Sequence, residues 1–452
     1  MPTPSSCLPP PLELFSDFLR FPSISTQSER DADTRACAEW LVRLFQATGL
    51  EARIEETGGH PCAVANSPRD PQLRTVLIYG HYDVQPPDPV EEWESPPFEP
   101  TIRGGRMFAR GATDNKGQIL AHILGVAETL REKGRLPVNV TFLVEGEEEI
   151  GSPNLCGVLE RLRGELAADV AVISDTGMVA DGFPTLTFSL RGIAALEFKT
   201  LGPACDLHSG TFGGAVANPL TAAARLVASL HDEAGAVAVE GFYDAVRPLA
   251  AWEKEASAGL PVSDEDFRKV AGVSALAGEP GYSAIERVGA RPTAEVNGLS
   301  GGYQGEGTKT VLPSSATVKL TFRLVPDQDP ETILQRVITH LEKHCPPGIR
   351  LEMLPGHHGA PYVTDPHSPF GLAARRALER VFGQPPALLR EGGSIPILGD
   401  FQRILGLDAL LLGLAWPDNH AHSPNENFPL ENLELGRKLN QAVLEEIAAL
   451  PQ

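Results

Sequence analysis

The sequence predicts an α/β protein in which a mostly parallel sheet is interrupted by a smaller α+β domain. Short apolar runs alternate with segments of helical spacing in residues 1–185, and the alternation returns in residues 366–452. Strands and helices that alternate in this way are typical of βαβ units, whose strands run parallel. Residues 186–365 have a different pattern, with strands in which polar and apolar residues alternate. We therefore expect residues 186–365 to be inserted into one domain formed by the two flanking parts.

The elements of the first part follow this alternation in order. Short apolar runs predict buried strands, and apolar residues three and four positions apart predict helices. The predicted elements are helices within residues 10–50 with a break near Pro22, a strand at Thr75–Tyr79, a helix at Ile119–Leu130, a strand at Val138–Val144, a helix at Pro153–Leu166 and a strand at Val170–Ile173.

The inserted part has two groups of strands, and each is followed by a helix. The strands are predicted within residues 185–200 and 310–325, and the helices at Asn218–His231 and Pro330–Cys345. The stretch at Leu260–Gly307 is rich in Gly and Pro, which predicts irregular structure. A helix that starts at Ser368 and a strand at Leu407–Leu414 then resume the first pattern.

Composition restricts the classes of partner. The 452 residues include 59 Asp and Glu against 38 Lys and Arg, a net charge of -21, which disfavours nucleic acid and anionic membranes as partners. No apolar run reaches the roughly 18 residues of a membrane span, and the first residues lack the pattern of a signal peptide. The six cysteines are scattered without a CxxC pair, as expected of reduced thiols. We therefore expect a cytoplasmic protein.

Residues able to bind metal follow the predicted strands or precede a helix. A single histidine after a strand is usually a hydrogen-bonded turn residue, and a Glu triplet before a helix usually complements its dipole. Ligand sites of parallel sheets, however, lie beyond the carboxyl ends of the strands, so five such segments are expected to converge. Nitrogen and oxygen donors of this kind suit Zn, Mn or Co. The segments are Gly80–Pro86 (GHYDVQP), Arg110–Gly117 (RGATDNKG), Glu145–Ser152 (EGEEEIGS), Ser174–Gly177 (SDTG) and His420–Glu426 (HAHSPNE).

These segments, in this order, resemble the motifs of the M20 family of metallopeptidases, and the resemblance extends over nearly the whole chain. The long middle segment, Asp206–Gly210 (DLHSG) and Arg390–Pro396 (REGGSIP) are most similar to the dipeptidase and carnosinase branch. The resemblance implies a catalytic domain of the zinc-peptidase type, with the insertion serving as a lid and dimerisation domain. It also implies two divalent metal ions, Zn²⁺ before Mn²⁺ or Co²⁺, and a homodimer.

The resemblance further implies a role for each residue of the metal site. His81, Asp114 and Asp175 would hold one ion, and Asp114, Glu149 and His422 the other, so that Asp114 bridges. Asp83 would orient His81, and the Asp114–Asn115 peptide would be cis. The Glu triplet is ambiguous by inspection. The family pattern assigns the general base to Glu148, which would act on a metal-bridging hydroxide, and leaves Glu147 outside the site.

The substrate residues follow from the same resemblance. His208 would stabilise the oxyanion from the partner subunit, and Arg323 would bind the substrate carboxylate through two hydrogen bonds. Thr310 and Ser394 are candidate carboxylate contacts. One position departs from carnosinase-like proteins, because Gly177 replaces an aromatic residue two positions after the metal-binding aspartate. A preference for carnosine is therefore not carried over, and the neighbouring Met178 is interpreted as a packing residue.

Three functions remain under consideration. The first is hydrolysis of dipeptides that have a free C-terminal carboxylate. The second is removal of an acyl group, such as acetyl or succinyl, from N-acyl amino acids with the same metal site. The third is a metal-free interaction protein that has kept the fold. The complete set of predicted metal-site residues argues against the third, and the REGGSIP segment with the long insertion favours the first.

Overall fold

The structure is a computed structural model of the protein, and it describes residues 8–451 apart from the side chain of Pro355. The helices of this part are α1 Pro11–Leu19, α2 Asp31–Ala47, α3 Gly117–Lys133, α4 Leu155–Arg161, α5 Ser209–Phe212, α6 Pro219–Ala228, α7 Ala251–Ala258, α8 Asp264–Ala271, α9 Ala284–Ala290, α10 Pro330–His344, α11 Pro369–Phe382, α12 Ile397–Asp400 and α13 Leu430–Ala448. None of these helices has the length and apolar character needed to cross a membrane.

The strands of the same part form four sheets. They are β1 Glu51–Glu55, β2 Cys62–Asn66, β3 Thr75–His81, β4 Thr101–Arg103, β5 Arg106–Phe108, β6 Asn139–Glu145, β7 Val170–Ile173, β8 Thr185–Leu190, β9 Gly192–Leu201, β10 Leu207–His208, β11 Thr293–Gly301, β12 Val311–Leu312, β13 Ser315–Leu324, β14 Arg350–Gly359, β15 Tyr362–Val363, β16 Ala387–Glu391, β17 Ala409–Gly413 and β18 Asn427–Pro429.

The largest sheet is mixed, with parallel strands at its centre. Its order is β1-β2-β6-β3-β7-β17-β8-β15, and β16 also pairs with β8. The pairs β6–β3, β3–β7 and β7–β17 are parallel, whereas β1–β2, β2–β6, β17–β8 and β8–β15 are antiparallel. All seven residues of β3 and of β6 are buried, as expected where helices cover both faces. The predicted α/β class is thus confirmed, but the sheet is mixed and not mostly parallel, because its outer strands pair in antiparallel fashion.

Two apolar cores enclose this sheet. Alternate residues of a strand point to opposite faces, so Val76 and Ile78 of β3 join a core with α2, α3, α11 and α13. Leu77 and Tyr79 of the same strand join a second core with α4 and α12. The sheet is therefore the middle layer of three, and only its strand ends are left for a site.

A second, four-stranded sheet has the order β11-β13-β9-β14 and is antiparallel. Its residues alternate between buried and more exposed along β9 and β13. The buried face packs against α6 and α10 in a core of its own. The other face carries more exposed residues, among them Arg323. This sheet, with two helices on one face, corresponds to the predicted α+β insertion.

The two strands that flank the small sheet in sequence belong to the large one. β15 and all of β8 except Thr185 lie inside the predicted insertion of residues 186–365, yet the two strands pair with each other in the large sheet. The chain crosses between the sheets just before Gly192 and just after Gly359. We propose that the limits of the inserted domain, predicted at 185/186 and 365/366, lie at these two crossings.

The prediction of irregular structure for Leu260–Gly307 was wrong in part. Residues 264–271 and 284–290 are helical, and residues 293–301 form β11, which pairs with β13 along its length. β11 is an edge strand in which Ala294 is the buried residue. Its sequence therefore lacks the apolar alternation that predicts a strand, and its pairing comes from its neighbour β13.

Candidate metal centre

The carboxyl ends of the central parallel strands bring the predicted residues together. β3 ends at His81, and β7 ends two residues before Asp175. Asp114 lies in the turn that precedes α3, and Glu149 lies in the short helical turn after β6. Ligand atoms of His81, Asp114 and Glu149 all lie within 4.8 Å of one another.

The two oxygens of Asp114 face two different histidines. Oδ1 is 3.0 Å from Nε2 of His81, and Oδ2 is 2.9 Å from Nε2 of His422. Nε2 of His81 also lies 3.7 Å from Oδ1 of Asp175, and Nε2 of His422 lies 3.3 Å from Oε2 of Glu149. The five residues thus form two groups of three that share Asp114.

These spacings fit two metal ions. Nitrogen and carboxylate ligands lie about 2.0–2.2 Å from zinc in a tetrahedral site, which separates neighbouring ligand atoms by about 3.3 Å. The observed separations from the histidine nitrogens range from 2.9 to 3.7 Å. One imidazole with two carboxylates in each group is a donor set that suits zinc, manganese or cobalt.

The charges of the centre shift the pKa values of its members. Burial opposes ionisation of Asp114, but hydrogen bonds with His422 and His81 outweigh it and lower the pKa of Asp114. The hydrogen bonds from His422 to Asp114 and Glu149 raise the pKa of His422 to about 10.

Asp83 links His81 to the turn that carries the glutamates. Its Oδ1 lies 3.3 Å from Nδ1 of His81. The same carboxylate accepts hydrogen bonds from the backbone nitrogens of Glu148 at 3.2 Å and of Glu149 at 3.1 Å. Asp83 is fully buried, so one carboxylate fixes both the ring of His81 and the position of the turn.

Glu148 and Glu147 lie in different surroundings. The carboxylate of Glu148 has no hydrogen bond or ion pair with any residue in 8–451. Its burial, together with the charges of Asp175 and Asp114, raises its pKa well above the usual range, against the opposing effect of His81. The carboxylate of Glu147 instead accepts hydrogen bonds from the backbone of His60 and the side chain of Asn154.

The substrate residues predicted from the sequence form two further groups. Nη1 of Arg323 donates to Oγ of Ser394 at 3.0 Å. His208 and Thr310 are neighbours where β10 pairs with β12, and the backbone of Ser209 donates to the carbonyl of Thr310. Within the described part of the chain, neither His208 nor Thr310 contacts the metal centre through a hydrogen bond or an ion pair.

A comparison with family models now gives the relationship. Residues 77–446 match the model of peptidase family M20/M25/M40. The chain belongs to this family.

Individual relatives in the family are similar over most of their length. Cys-Gly metallodipeptidase dug1 of Schizosaccharomyces pombe is 32% identical over 95% of this chain and 94% of its own. Beta-Ala-His dipeptidase of Homo sapiens is 33% identical over 86% of this chain and 78% of its own. Among solved structures, the M20 family metallo-carboxypeptidase Sso-CP2 of Sulfolobus solfataricus superposes with a TM-score of 0.88 at 34% identity, covering 98% of this chain and all of that one.

The structure also identifies residues around the M20 centre to which the sequence analysis assigned no role. The carboxylate of Glu426 is fully buried and accepts hydrogen bonds from Arg110 and from the backbone nitrogens of Gly111, Thr113 and Asp114. Glu426 therefore fixes the turn that carries Asp114. Glu426 lies in the HAHSPNE segment, and its partners lie in the RGATDNKG segment. A sequence motif does not show which of its residues point into the protein.

Two amides contact the carboxylates of the centre. Nδ2 of Asn115 donates to Oδ1 of Asp175 at 2.8 Å, and Nε2 of Gln85 donates to Oε2 of Glu149 at 2.8 Å. The Asp114–Asn115 peptide is cis, as the resemblance implied. Such contacts orient ligand carboxylates and are as much a part of a metal site as the ligands themselves.

Glu391 is a further carboxylate near Asp175, and it was not among the predicted site residues. It ends β16, three residues before Ser394. Its carboxylate accepts hydrogen bonds from Thr187 and from the backbone of Gly177. Burial, with a contribution from the charge of Asp175, raises the pKa of Glu391 to about 7. Its position in the REGGSIP segment was the sequence signal that could have identified Glu391 as a site residue.

Gly177, which stands where carnosinase-like proteins have an aromatic residue, leaves open space beside the backbone. A Cβ atom at this position would meet only the carbonyl oxygen of Ala415, at 3.7 Å. Met178, in contrast, is buried in the core of the large sheet, so its interpretation as a packing residue is confirmed.

Proposed function

We propose that this protein is a dinuclear metal-dependent dipeptidase, which cleaves the peptide bond of dipeptides that have a free C-terminal carboxylate. The observation that carries the proposal is the pair of groups around Asp114, whose two oxygens each face a histidine. The relatives named above as Cys-Gly metallodipeptidase and Beta-Ala-His dipeptidase support the substrate class.

Two divalent ions would be held by the two groups that share Asp114. His81, Asp114 and Asp175 would hold the first, and Asp114, Glu149 and His422 the second. We propose Zn²⁺, with Mn²⁺ or Co²⁺ as alternatives, because the donors are imidazoles and carboxylates. When bound, such ions polarise the substrate carbonyl and make water easier to deprotonate.

Glu148 is the proposed general base. Its carboxylate has no hydrogen-bond or ion-pair partner among the described residues, and burial with the charges of the neighbouring carboxylates raises its pKa, which makes it a stronger proton acceptor. It would take a proton from the attacking water and give it to the nitrogen of the leaving amine. Asp83 would support both steps by fixing His81 and the turn of Glu148.

Arg323 and Ser394 are the proposed site for the C-terminal carboxylate. The guanidinium of Arg323 can donate two parallel hydrogen bonds to a carboxylate, which a lysine cannot do. Its present partner Ser394 is neutral, so its charge is available to a substrate. Thr310 remains a candidate for a third contact.

Glu391 supports dipeptides over N-acyl amino acids. A dipeptide has a free α-ammonium group, and a carboxylate close to Asp175 and Gly177 would offset that positive charge. An N-acyl substrate would place a neutral group there and leave Glu391 without a counter-charge. The deacylase alternative is therefore less well supported.

His208 is proposed to act in the site of a partner subunit of a homodimer. It is exposed, and its imidazole accepts a hydrogen bond from the backbone of Gly210. Thr310 directly precedes β12, whose Val311 pairs with His208. Because neither residue contacts the centre of its own chain, we propose that a second copy brings them there to stabilise the oxyanion.

We also propose a cytoplasmic location. The five cysteines of the described residues are all free, which suits a reducing compartment. The sixth, Cys7, lies outside the described residues.

The function is tested with a panel of substrates after reconstitution with Zn²⁺ or Mn²⁺. It contains L,L-dipeptides, a dipeptide amide, a tripeptide, and one N-acetyl and one N-succinyl amino acid. We expect turnover of the dipeptides and at least about tenfold lower kcat/KM for the amide, because the amide lacks the charge that Arg323 binds. Preferred turnover of an acyl compound would establish the deacylase. Equal turnover of the tripeptide with release of its C-terminal residue would indicate a carboxypeptidase.

A further inference from the structure

Arg191 has hydrogen-bond donors that no described residue uses. It lies at the crossing between β8 and β9, and its Nε donates to the carbonyl oxygen of Gly392 at 3.1 Å. The two terminal nitrogens of its guanidinium have no hydrogen-bond or ion-pair partner in residues 8–451. Burial, followed by the nearby charge of Arg323, lowers the pKa of Arg191 to about 10. Arg191 is thus a partly buried cation with no ion-pair partner within 4.0 Å among residues 8–451.

A cavity of about 480 Å³ lies beside this guanidinium. Thr293 lines the cavity together with Arg191 and is the residue of β11 directly opposite Arg323 in β13. Directly opposed residues of an antiparallel pair lie on the same face of the sheet, about 5 Å apart. The cavity therefore adjoins the place proposed for the C-terminal carboxylate of the substrate.

The other two arginines of the cavity are already engaged. Arg291 donates to both carboxylate oxygens of Glu279, at 2.8 and 2.7 Å. Arg287 donates to the carbonyl oxygens of Ala277 and Glu279. Among the cavity's arginines in the described part of the chain, only Arg191 thus has no hydrogen-bond partner on either terminal nitrogen.

We propose that this cavity receives the side chain of the substrate's C-terminal residue, and that Arg191 makes it select an acidic one, Asp or Glu. The proposal rests on the proposed dipeptidase function. With the α-carboxylate on Arg323, the neighbouring Cα carries its side chain towards Thr293 and the cavity. A second carboxylate there would accept the hydrogen bonds that Arg191 has to offer.

The negative charge of Glu295 opposes the proposed preference for an acidic C-terminal residue, so its removal tests whether charge determines that preference. It lines the same cavity, and its charge acts on both Arg191 and Arg323. It forms no ion pair within 4.0 Å with either arginine among the described residues. An acidic side chain would approach Glu295 as well as Arg191, so removal of the Glu295 charge should strengthen the preference for acidic residues.

The experiment compares kcat/KM for Ala-Glu and Ala-Gln, two peptides that differ in one charged group. We expect the wild-type protein to prefer Ala-Glu. Arg191→Gln should reduce the ratio by about tenfold or more, since a charged hydrogen bond is lost, and Glu295→Gln should raise it. Lys319→Gln is the matched control, because it removes a positive charge from the same strand as Arg323 but outside the cavity. Its ratio should stay at the wild-type value.

Inhibition by free glutamate and glutamine gives a second measurement that does not depend on turnover. Glutamate should inhibit Ala-Ala hydrolysis more strongly than glutamine, and Arg191→Gln should abolish the difference. If Ala-Ala is hydrolysed but neither the ratio nor the inhibition changes in Arg191→Gln, the inference about Arg191 is wrong. If no dipeptide is hydrolysed by the metal-loaded wild type, the proposed function itself fails.

Discussion

Three consecutive glutamates have three different environments in this protein. Glu147 accepts hydrogen bonds from His60 and Asn154, and Glu149 faces His422. The carboxylate of Glu148 has no hydrogen-bond or ion-pair partner among residues 8–451. Because a short helical turn changes direction by about 120° per residue, neighbours in sequence point to different places. The same residue type can therefore serve as a structural contact, a base and a ligand.

Exchange of Glu148 for Gln should separate catalysis from metal binding. The variant should bind both metals and lose turnover by about 100-fold or more, the usual contribution of a general base. Metal content from elemental analysis and kcat for a dipeptide are the measurements. Glu147→Gln is the matched control, and it should keep most of the turnover. Wild-type turnover in Glu148→Gln would remove this residue as the base.

At this scale, the sequence predicted the residues that the structure brings into one cluster, but not those that hold them. His81, Asp114, Glu149, Asp175 and His422 could be proposed because motifs of the M20 family carry them. The contacts of Glu426, Asn115 and Gln85 depend on the distance between segments that are far apart in sequence. No local pattern encodes such a distance.

Among the elements, the turn before α3 depends on a single buried carboxylate. Glu426 neutralises Arg110 and accepts three backbone hydrogen bonds from Gly111, Thr113 and Asp114. Both side chains of the ion pair are almost completely buried. Loss of one partner would leave an unpaired charge in the interior, which is strongly destabilising.

Glu426→Gln should weaken both folding and metal binding. We expect the free energy of unfolding of the metal-free protein to fall by about 3 kcal/mol, and metal affinity to fall by about tenfold or more. Urea unfolding and metal titration are the measurements. Glu431→Gln, at an exposed position of α13, serves as the control. Unchanged metal affinity in Glu426→Gln would show that the turn does not need this carboxylate.

The packing of α3 on α13 includes a buried histidine that gives the fold a pH dependence. Nε2 of His122 contacts Oγ of Ser174 at 2.8 Å, and Asn440 donates to its Nδ1. Burial lowers the pKa of His122 from 6.5 to about 4. Between these values the unfolded chain binds a proton that the folded protein does not. The contribution of His122 to stability is therefore present above pH 6.5 and is lost as the pH falls towards 4.

His122→Gln should remove this dependence. The free energy of unfolding of the wild type, relative to the variant, should fall by up to about 3 kcal/mol across this window. Urea unfolding of the metal-free proteins at pH values that span the window measures it. The titration of the metal centre contributes equally to both proteins, so it cancels when the two free energies of unfolding are subtracted. Parallel curves would mean that His122 already binds its proton in the folded state.

The elements themselves were predictable to different degrees. β3, β6 and β7 are apolar runs because helices cover both their faces, so their sequences indicate their burial. β11 has one buried residue, and β1 has none. Edge strands of this kind are held by pairing with a neighbour, which a single-sequence pattern does not show.

At the scale of the whole molecule, one chain is proposed to supply an incomplete site. In this proposal, one chain supplies the metal centre, Arg323 and Glu391. The second copy supplies His208 and Thr310. An isologous dimer would place the His208 of each chain in the site of the other.

Mixing two inactive variants tests this arrangement. His208→Ala and Glu148→Gln are combined under conditions that exchange subunits, and mixed dimers are demonstrated with a tag on one chain. About a quarter of wild-type turnover is expected, because half of the dimers are mixed and each mixed dimer has one complete site. No recovery in demonstrated mixed dimers would refute a shared site, and a monomer in solution would refute it directly.

The two crossings between the sheets lie against each other. Ile193 pairs with Gly359, and a Cβ at Gly192 would come within 2.6 Å of the backbone nitrogen of Pro361. The two proposed limits of the inserted domain thus lie side by side. A short turn could close the host sheet after excision of the inserted domain. A gene encoding this chain could therefore exchange or lose the inserted domain without breaking the strands that carry the metal centre.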